Sequence, residues 1–492
     1  MTAIGNLKKL LQSSENANIL LGFELLPAYS PTPELTSTLL FLSYFHEDAT
    51  IQNKARLFFD KLANQKFSQE SLYSTLDPKQ VFRIFKRLIK YPEVNGVELL
   101  KMLLIHNPYC KVKTALLFCL EHKLDWLAVA QNITLPSLTL IHKRELQLLI
   151  KQWQVLQHLQ VTLLTVSDLN LSTLPRQLGS LTSLQKLVAS RNVLIKLPES
   201  IGKLTQLKVL YLSYNRLKNL PVAITKLRQI EELHLNHNLL QSLPAHLGDM
   251  SQLNALYLAD NQLTSLPTSL PRLTHLQELD LTNNPIQYLP EGFNQLKNLK
   301  VLKTGGGNIH QMALQISKVP WLETLIIQHT QWETLPEWIG GFTQLQQLAI
   351  KHNHISCLPK SLSYLKKLKS IDLSYNQLVG IPDSIGALEQ LQEANFEGNG
   401  LLKIPETINN LKKLRFLHLG YNQLISLPAN IGQLHYLETL ILENNQLKSL
   451  PVTQGDFPRL HTLLLAGNPI EIQEIERLKL ALPHTIIYES GQ

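Results

Sequence analysis

Residues 207–227, LKVLYLSYNRLKNLPVAITKL, decide how this chain of 492 residues is read. Apolar side chains stand at Leu207, Leu210, Leu212, Leu217, Leu220, Ile224 and Leu227, with Asn215 and Pro221 at fixed places between them. The set returns every 23 residues. Prolines preceded by Leu or Ile fall at Pro175, Pro198, Pro221, Pro244, Pro267 and Pro290, then at Pro336, Pro359, Pro382, Pro405, Pro428 and Pro451. An asparagine keeps the same step at Asn192, Asn215, Asn238, Asn261 and Asn284, then from Asn353 through Asn376, Asn399, Asn422 and Asn445 to Asn468. Self-similarity at a fixed period of 20 to 50 residues defines a stacked repeat array.

In the Leu210-Tyr211-Leu212 step the two leucines point one way and the middle residue the other, which is the alternation of a strand. One strand per period, each returned by the rest of its coil, stacks as a parallel sheet with strands about 4.8 Å apart. An asparagine among buried leucines costs about 1–3 kcal/mol if its amide is unpaired. Repeated at one position of every coil, that amide can bond the backbone of its own and neighbouring turns. Proline brings no N–H to leave unpaired and holds the residue before it extended.

The unit LxxLxLxxNxLxxLPxxIxxL resembles the leucine-rich repeat, and the LPxxIGxL tail resembles its 23-residue intracellular class, shared by Ras-suppressor and Scribble-type proteins and by many bacterial proteins. The resemblance spans residues 159–492 and implies an α/β solenoid of about 14 coils, a right-handed horseshoe with a parallel concave sheet. It also implies scaffolding or signalling through a protein ligand held on that face. Near the end, Ile472, Ile475, Leu478 and Leu482 recur at helical spacing and predict a capping helix over about 470–482, where the array and the chain both finish.

Residues 1–158 carry no such period and read as an all-α domain, with helices over Glu34–His46, Asp48–Ala63, Asp77–Tyr91, Glu93–His106, Lys111–His122 and Ser137–His158. The consecutive pairing of these segments resembles a HEAT or armadillo array, and the domain is placed to cap the first coil at Val161, Leu164 and Val166. The segment Asp77–Tyr91 has Lys79, Arg83, Lys86, Arg87 and Lys90 on it. That row is either the solvated face of a packed helix or a docking face for an anionic partner or membrane surface, making the chain a membrane-surface regulatory adaptor.

Composition narrows the function classes. Charged residues are 17% and hydrophobic ones 44%, while the net charge of +8 is modest for the length and implies no nucleic acid. Residues 1–160 hold 18 Lys and Arg against 13 Asp and Glu, which leaves 28 against 25 for the repeats. No apolar run reaches transmembrane length, so a cytoplasmic protein with no integral membrane segment is expected. No catalytic motif occurs, and no cofactor or metal site is expected; a motif-less enzyme in the helical domain is the alternative from the enzyme class. Cys110, Cys119 and Cys357 read as small buried apolar residues. His329 and His352 stand on neighbouring strands without a carboxylate to complete a metal set.

What remains is recognition area. The middle strand residues give Tyr211, His234, Tyr257, Asp280, Lys303 and Asp372, and the position before the asparagine adds Tyr214, His237, Asp260, His329, His352 and Tyr375. These twelve are the candidate partner-binding residues of the concave face. One stretch breaks the pattern. From Thr304 to Trp338 the asparagine register falls on Gly307 and Thr330, and three of the five tryptophans, Trp321, Trp332 and Trp338, gather there. Two readings stand: a binding locus that exposes backbone amides and indoles, or degenerate coils whose tryptophans replace core leucines.

Overall fold

The computed structural model of the protein describes residues 160–489 except Asn308, together with residues 10–12, 16–25, 38–39, 42, 48–62, 95, 97, 137–140 and 145–147. Two compact units are present: Met1–Leu169 with Ser180–Leu184, and Asn170–Gly179 with Gln185–Gln492.

In the first unit, helices α1 (Asn16–Leu25) and α2 (Ala49–Leu62) are described, and α2 matches the segment expected from Asp48 to Ala63. Leu11, Ile19, Leu39, Leu42, Ile51 and Ala55 are fully buried. The basic segment Asp77–Tyr91, the segment Glu93–His106 apart from Asn95 and Val97, and the segment Lys111–His122, with Cys110 and Cys119, lie outside the described residues. The expectation of a helix beginning at Ser137 is corrected. Residues Ser137–Thr139 form strand β1, which pairs in parallel with β2 (Leu163–Thr165). The reason is local: Leu138 and Leu140 are buried while Thr139 between them is exposed, a period of two that a helix cannot satisfy.

The second unit is an open stack of coils. Its strands are β3 (Lys186–Val188), β4 (Val209–Tyr211), β5 (Glu232–His234), β6 (Ala255–Tyr257), β7 (Glu278–Asp280), β8 (Val301–Gly305) and β9 (Thr324–Gln328). They continue as β10 (Gln347–Ala349), β11 (Ser370–Asp372), β12 (Glu393–Asn395), β13 (Phe416–His418), β14 (Thr439–Ile441), β15 (Thr462–Leu464) and β16 (Ile486–Tyr488). Each pairs in parallel with the next in chain order. From Leu163 to Thr462 every strand starts 23 residues after the last, so the strand phase survives even where the asparagine and proline are lost.

The middle residue of a short strand, such as Leu210, is buried and its two neighbours are half-exposed. On the return of most coils the chain forms a 3-10 turn. Pro221, extended at φ −65°, precedes Val222–Lys226, and Ile224 and Leu227 point inward. The asparagine ladder behaves as its chemistry requires. Asn215 Oδ1 accepts from the Leu194 N–H at 3.0 Å, and its Nδ2 donates to Leu212 O at 2.9 Å and, in the coil before, to Ala189 O at 3.0 Å. A buried amide used on both ends across two coils turns a desolvation cost into a coil-to-coil fastener.

In the irregular stretch a true helix, α3 (Ile309–Ile316), replaces the 3-10 turn and buries Met312 and Ile316. A Cβ at Gly305 would stand 2.1 Å from Gln328 O, and one at Gly307 would stand 2.0 Å from Ile286 O. These glycines are therefore packing contacts between coils. Trp332 is buried at 3% exposure in a leucine position. Thr330 restores the ladder differently, its N–H and Oγ1 both donating to Asn353 Oδ1 at 3.0 and 2.6 Å. At the end of the stack α4 (Ile472–Ala481) fills the expected capping position and buries Ile475 and Leu478, and β16, which the sequence reading did not foresee, adds one more strand.

Candidate functional site

Each strand presents two residues on the inward side, one either side of its buried centre, and the chain adds two more before the ladder asparagine. Four parallel rows result. In one coil they are Glu232, His234, Asn236 and His237; in the next they are Ala255, Tyr257, Ala259 and Asp260. Tyr211 and its equivalents, expected at the middle of each strand, are its last residue, and together with the pre-asparagine positions they occupy the second and fourth rows.

The structure brings the expected residues together in groups. Tyr211, His234 and Tyr257 stack ring on ring at 4.1 and 4.4 Å, and Tyr214 stacks on His237 at 4.2 Å. Further along, His329, His352 and Tyr375 form a second stack at 4.8 and 4.6 Å. Strands stand about 4.8 Å apart, close to the centroid separation of offset-stacked rings, so aromatic residues at one register position of neighbouring coils meet face to face. Among the described residues no group of three His, Cys, Asp or Glu side chains is placed to hold a metal ion. Cys357, expected to be buried, is exposed: it follows the ladder residues at the surface bridge between Thr334 and Cys357.

The fourth row has a backbone signature. Arg191, Tyr214, His237, Asp260, Asn283, His329, His352, Tyr375, Tyr421 and Asn444 all have φ between 53° and 58°, and Gly306, Gly398 and Gly467 complete the row at 80°, 64° and 74°. Left-handed backbone costs a non-glycine residue about 1–2 kcal/mol. Tyr214, Tyr375 and Tyr421 bear it while remaining 51%, 44% and 51% exposed, so they recover none of that cost by deep burial.

Electrostatics tie the rows together. Tyr257 Oη donates to Glu278 Oε2 at 2.8 Å, and Lys303 Nζ reaches Glu278 Oε1 at 2.9 Å. Burial and this carboxylate push the Tyr257 phenol well above its ordinary value. His234 Nε2 lies 3.1 Å from Glu232 Oε2; burial nevertheless pulls its pKa down, against the attraction of that carboxylate. His352 is also lowered, by burial first and then by the neighbouring His329. His237 Nδ1 lies 3.4 Å from Asp260 Oδ2, and Asn283 Nδ2 donates to the other Asp260 oxygen at 2.8 Å. Asp280 and Asp372 each accept a backbone N–H two residues on, from Thr282 and Ser374.

Between and beyond the stacks the face encloses a recess of about 740 Å³, lined from Ala259 and Asp260 through Lys303, Ile326 and Ala349 to Asp372, Glu393, Phe416, His418 and Ile441. The expected Asp260, Asp280, Lys303 and Asp372 line it, whereas Tyr211, Tyr214, His234, His237 and Tyr257 do not. Sequence reading missed the first and third rows, which hold Glu232, Glu278, Glu393, Lys351, Glu397 and Glu443. Counting two residues to either side of each chosen position would have found them.

Comparison with known proteins agrees with this geometry. The leucine rich repeat family model matches residues 196–240, 228–286, 251–309, 320–378 and 343–401. The structure of a leucine-rich repeat protein of Leptospira interrogans is 30% identical over 68% of this chain and 85% of its own, with a TM-score of 0.55. The chain belongs to the leucine-rich repeat family. The ectodomain of the Arabidopsis thaliana receptor kinase GASSHO1/SCHENGEN3, solved with CASPARIAN STRIP INTEGRITY FACTOR 2, is 27% identical, covers 68% of this chain and 48% of that one, and gives a TM-score of 0.45. An internalin of Listeria monocytogenes is 21% identical, covers 64% of this chain and 83% of its own, and gives 0.47. No curated protein matches the sequence. Among the described residues no helix is long and apolar enough to cross a membrane.

Proposed function

We propose that this chain is a non-enzymatic interaction protein that holds a protein ligand on the concave face of its repeats, serving as a scaffold or adaptor in intracellular signalling. Residues 159–492 form the recognition domain in this reading, and residues 1–158 a helical domain. The observation that carries it is the inward face itself: four rows of side chains in strict register, differing from coil to coil and rich in exposed Tyr and His around a 740 Å³ recess. Tyr and His supply contact area with a polar tip at a low entropy cost, which suits recognition of another protein. Leucine-rich repeats are protein-interaction modules as a family, and the Leptospira relative shares the fold over most of its length. The LPxxIGxL pattern supports membership of the 23-residue intracellular class and a cytoplasmic location.

Affinity capture from the native cell identifies the ligand, and the combined substitution Tyr214→Ala, His237→Ala and Tyr257→Ala then tests the face. A tenfold or greater loss of affinity is expected, since buried aromatic anchors account for about 2 kcal/mol or more each at interfaces. Unchanged affinity in a variant with an unchanged melting temperature rejects the concave face as the docking surface.

A further inference from the structure

We propose that the stretch of the concave recess over β11–β14 takes an extended cationic segment of the protein ligand, with Lys or Arg side chains against Asp372, Glu393 and Glu397 and the intervening side chains on Phe416 and Ile441. The proposal rests on the concave-face reading and specifies the chemistry of what that face receives. Its ground is a contrast in charge compensation along one sheet. On β3–β6 the four inward rows contain the carboxylates Glu232 and Asp260 and the cations Lys186 and Arg191, a balance of zero. On β11–β14 the same rows contain Asp372, Glu393, Glu397 and Glu443 and neither Lys nor Arg, a balance of minus four. Composition does not explain this, because the repeats as a whole carry more Lys and Arg than Asp and Glu.

On β3–β6 the two cations lie over rings of the same face, Lys186 4.9 Å from the Tyr211 centroid and Arg191 5.8 Å from that of Tyr214, while Glu232 and Asp260 lie against the imidazoles of His234 and His237. On β11–β14 the carboxylates receive mainly neutral donors: Ser374 to Asp372, Ser370 to Glu393 and the Tyr375 phenol to Glu397. A neutral donor orients a carboxylate and leaves its charge in place. His418 sits 3.6 Å from Glu397 through Nδ1, while its Nε2 is buried and has no hydrogen-bond partner among the described residues. Beside these groups Phe416, 39% exposed, and Ile441 line the recess and offer apolar surface, with the Arg415 guanidinium, paired to Glu438, 5.5 Å from the Phe416 ring centroid. A wall of oriented carboxylates next to apolar floor fits a segment that alternates basic and aliphatic residues. Three strand steps span about 14 Å and an extended chain rises about 3.3 Å per residue, so four or five residues cross the site.

The test uses the full chain and a labelled peptide, Arg-Val-Arg-Val-Arg-Val, followed by fluorescence anisotropy at 50 and 200 mM salt. Saturable binding is expected, at least tenfold weaker at the higher salt and at least tenfold weaker for the variant Asp372→Asn, Glu393→Gln, Glu397→Gln. A change at Glu199→Gln, in the 3-10 turn Glu199–Lys203 outside the face, should leave it unaltered. Should the triple variant melt early, Glu393→Gln alone, at an exposed position, is expected to cost two- to threefold. Wild-type affinity in the carboxamide variants, or an equal loss in Glu199→Gln, overturns the proposal. If that happens while the Tyr214, His237 and Tyr257 substitutions still abolish capture of the native ligand, the concave-face reading stands and only the cationic segment falls.

Discussion

The inward faces of β3–β6 and β11–β14 share backbone, register and left-handed fourth row, yet they are finished in opposite ways. The first closes on itself: rings stack on rings, its carboxylates lie against imidazoles, and Lys186 and Arg191 lie over tyrosine rings. The second keeps four carboxylates, three of them held by hydroxyl donors, beside an exposed phenylalanine. The repeat thus separates two problems. Leucines, the asparagine ladder and proline make the scaffold identically in every coil, and the rows that face inward are free to differ because nothing in the core depends on them.

That separation is broken most severely through the ladder. Asn215→Ala and Asn422→Ala each leave a backbone N–H and three backbone carbonyls without their amide, at Leu194, Ala189, Leu212 and Ser213 in one case and Leu401, Phe396, Leu419 and Gly420 in the other. Each is expected to cost about 3 kcal/mol. If scaffold and face are independent, the two urea midpoints fall by the same amount. A much larger loss at Asn422 would mean that the charged face also strains the coils beneath it.

How much of this was legible depends on what each position must satisfy. The 23-residue strand phase was readable throughout, even across Gly307 and Thr330, because Leu302, Leu322 and Leu325 keep the apolar register when the ladder residue changes. Of the two readings of that stretch, the coil contacts of Gly305 and Gly307 and the burial of Trp332 favour degenerate coils. Alanine at those glycines would disturb packing whatever its effect on binding. The left-handed row was hidden by its tyrosines, although Gly306, Gly398, Gly467, Asn283 and Asn444 in the same column are residues that tolerate positive φ. Strand β1 was missed because four residues of alternation sat beside a longer helical pattern. Charge compensation was not legible at all, since the pairing of Glu278 with both Tyr257 and Lys303 depends on side chains from three coils.

The fourth row allows a finer comparison. Tyr214 and Tyr421 have nearly the same backbone, φ 58° and 55°, and equal exposure, but only Tyr214 has a stacked ring partner among the described residues. Tyr421→Gly relieves the left-handed strain and loses no stack, so a gain of up to about 1 kcal/mol is expected after the entropy cost of glycine. Tyr214→Gly gains the same relief and loses the contact with His237, about 0.5–1.5 kcal/mol for an aromatic pair, and should be neutral or destabilising. Equal shifts in the two denaturation midpoints would mean that the stacks contribute nothing to the scaffold and serve only recognition.

The smallest effect concerns the closed face alone. His234 lies between Tyr211 and Tyr257, with Glu232, Glu278 and Lys186 also acting on it, and burial lowers its pKa below the ordinary value near 6.5. In the folded chain it therefore binds its proton later, on acidification, than in the unfolded chain. Stability from this group is present in full above about pH 6.5 and is lost as the pH falls through the lowered value, because the unfolded state takes up the proton first. Melting temperature should decline from pH 7 to pH 5, and His234→Gln should flatten part of that decline. The same slope in the variant would show that the stack does not depend on an uncharged imidazole, and that the first face is held together by its ring contacts whatever the charge within them.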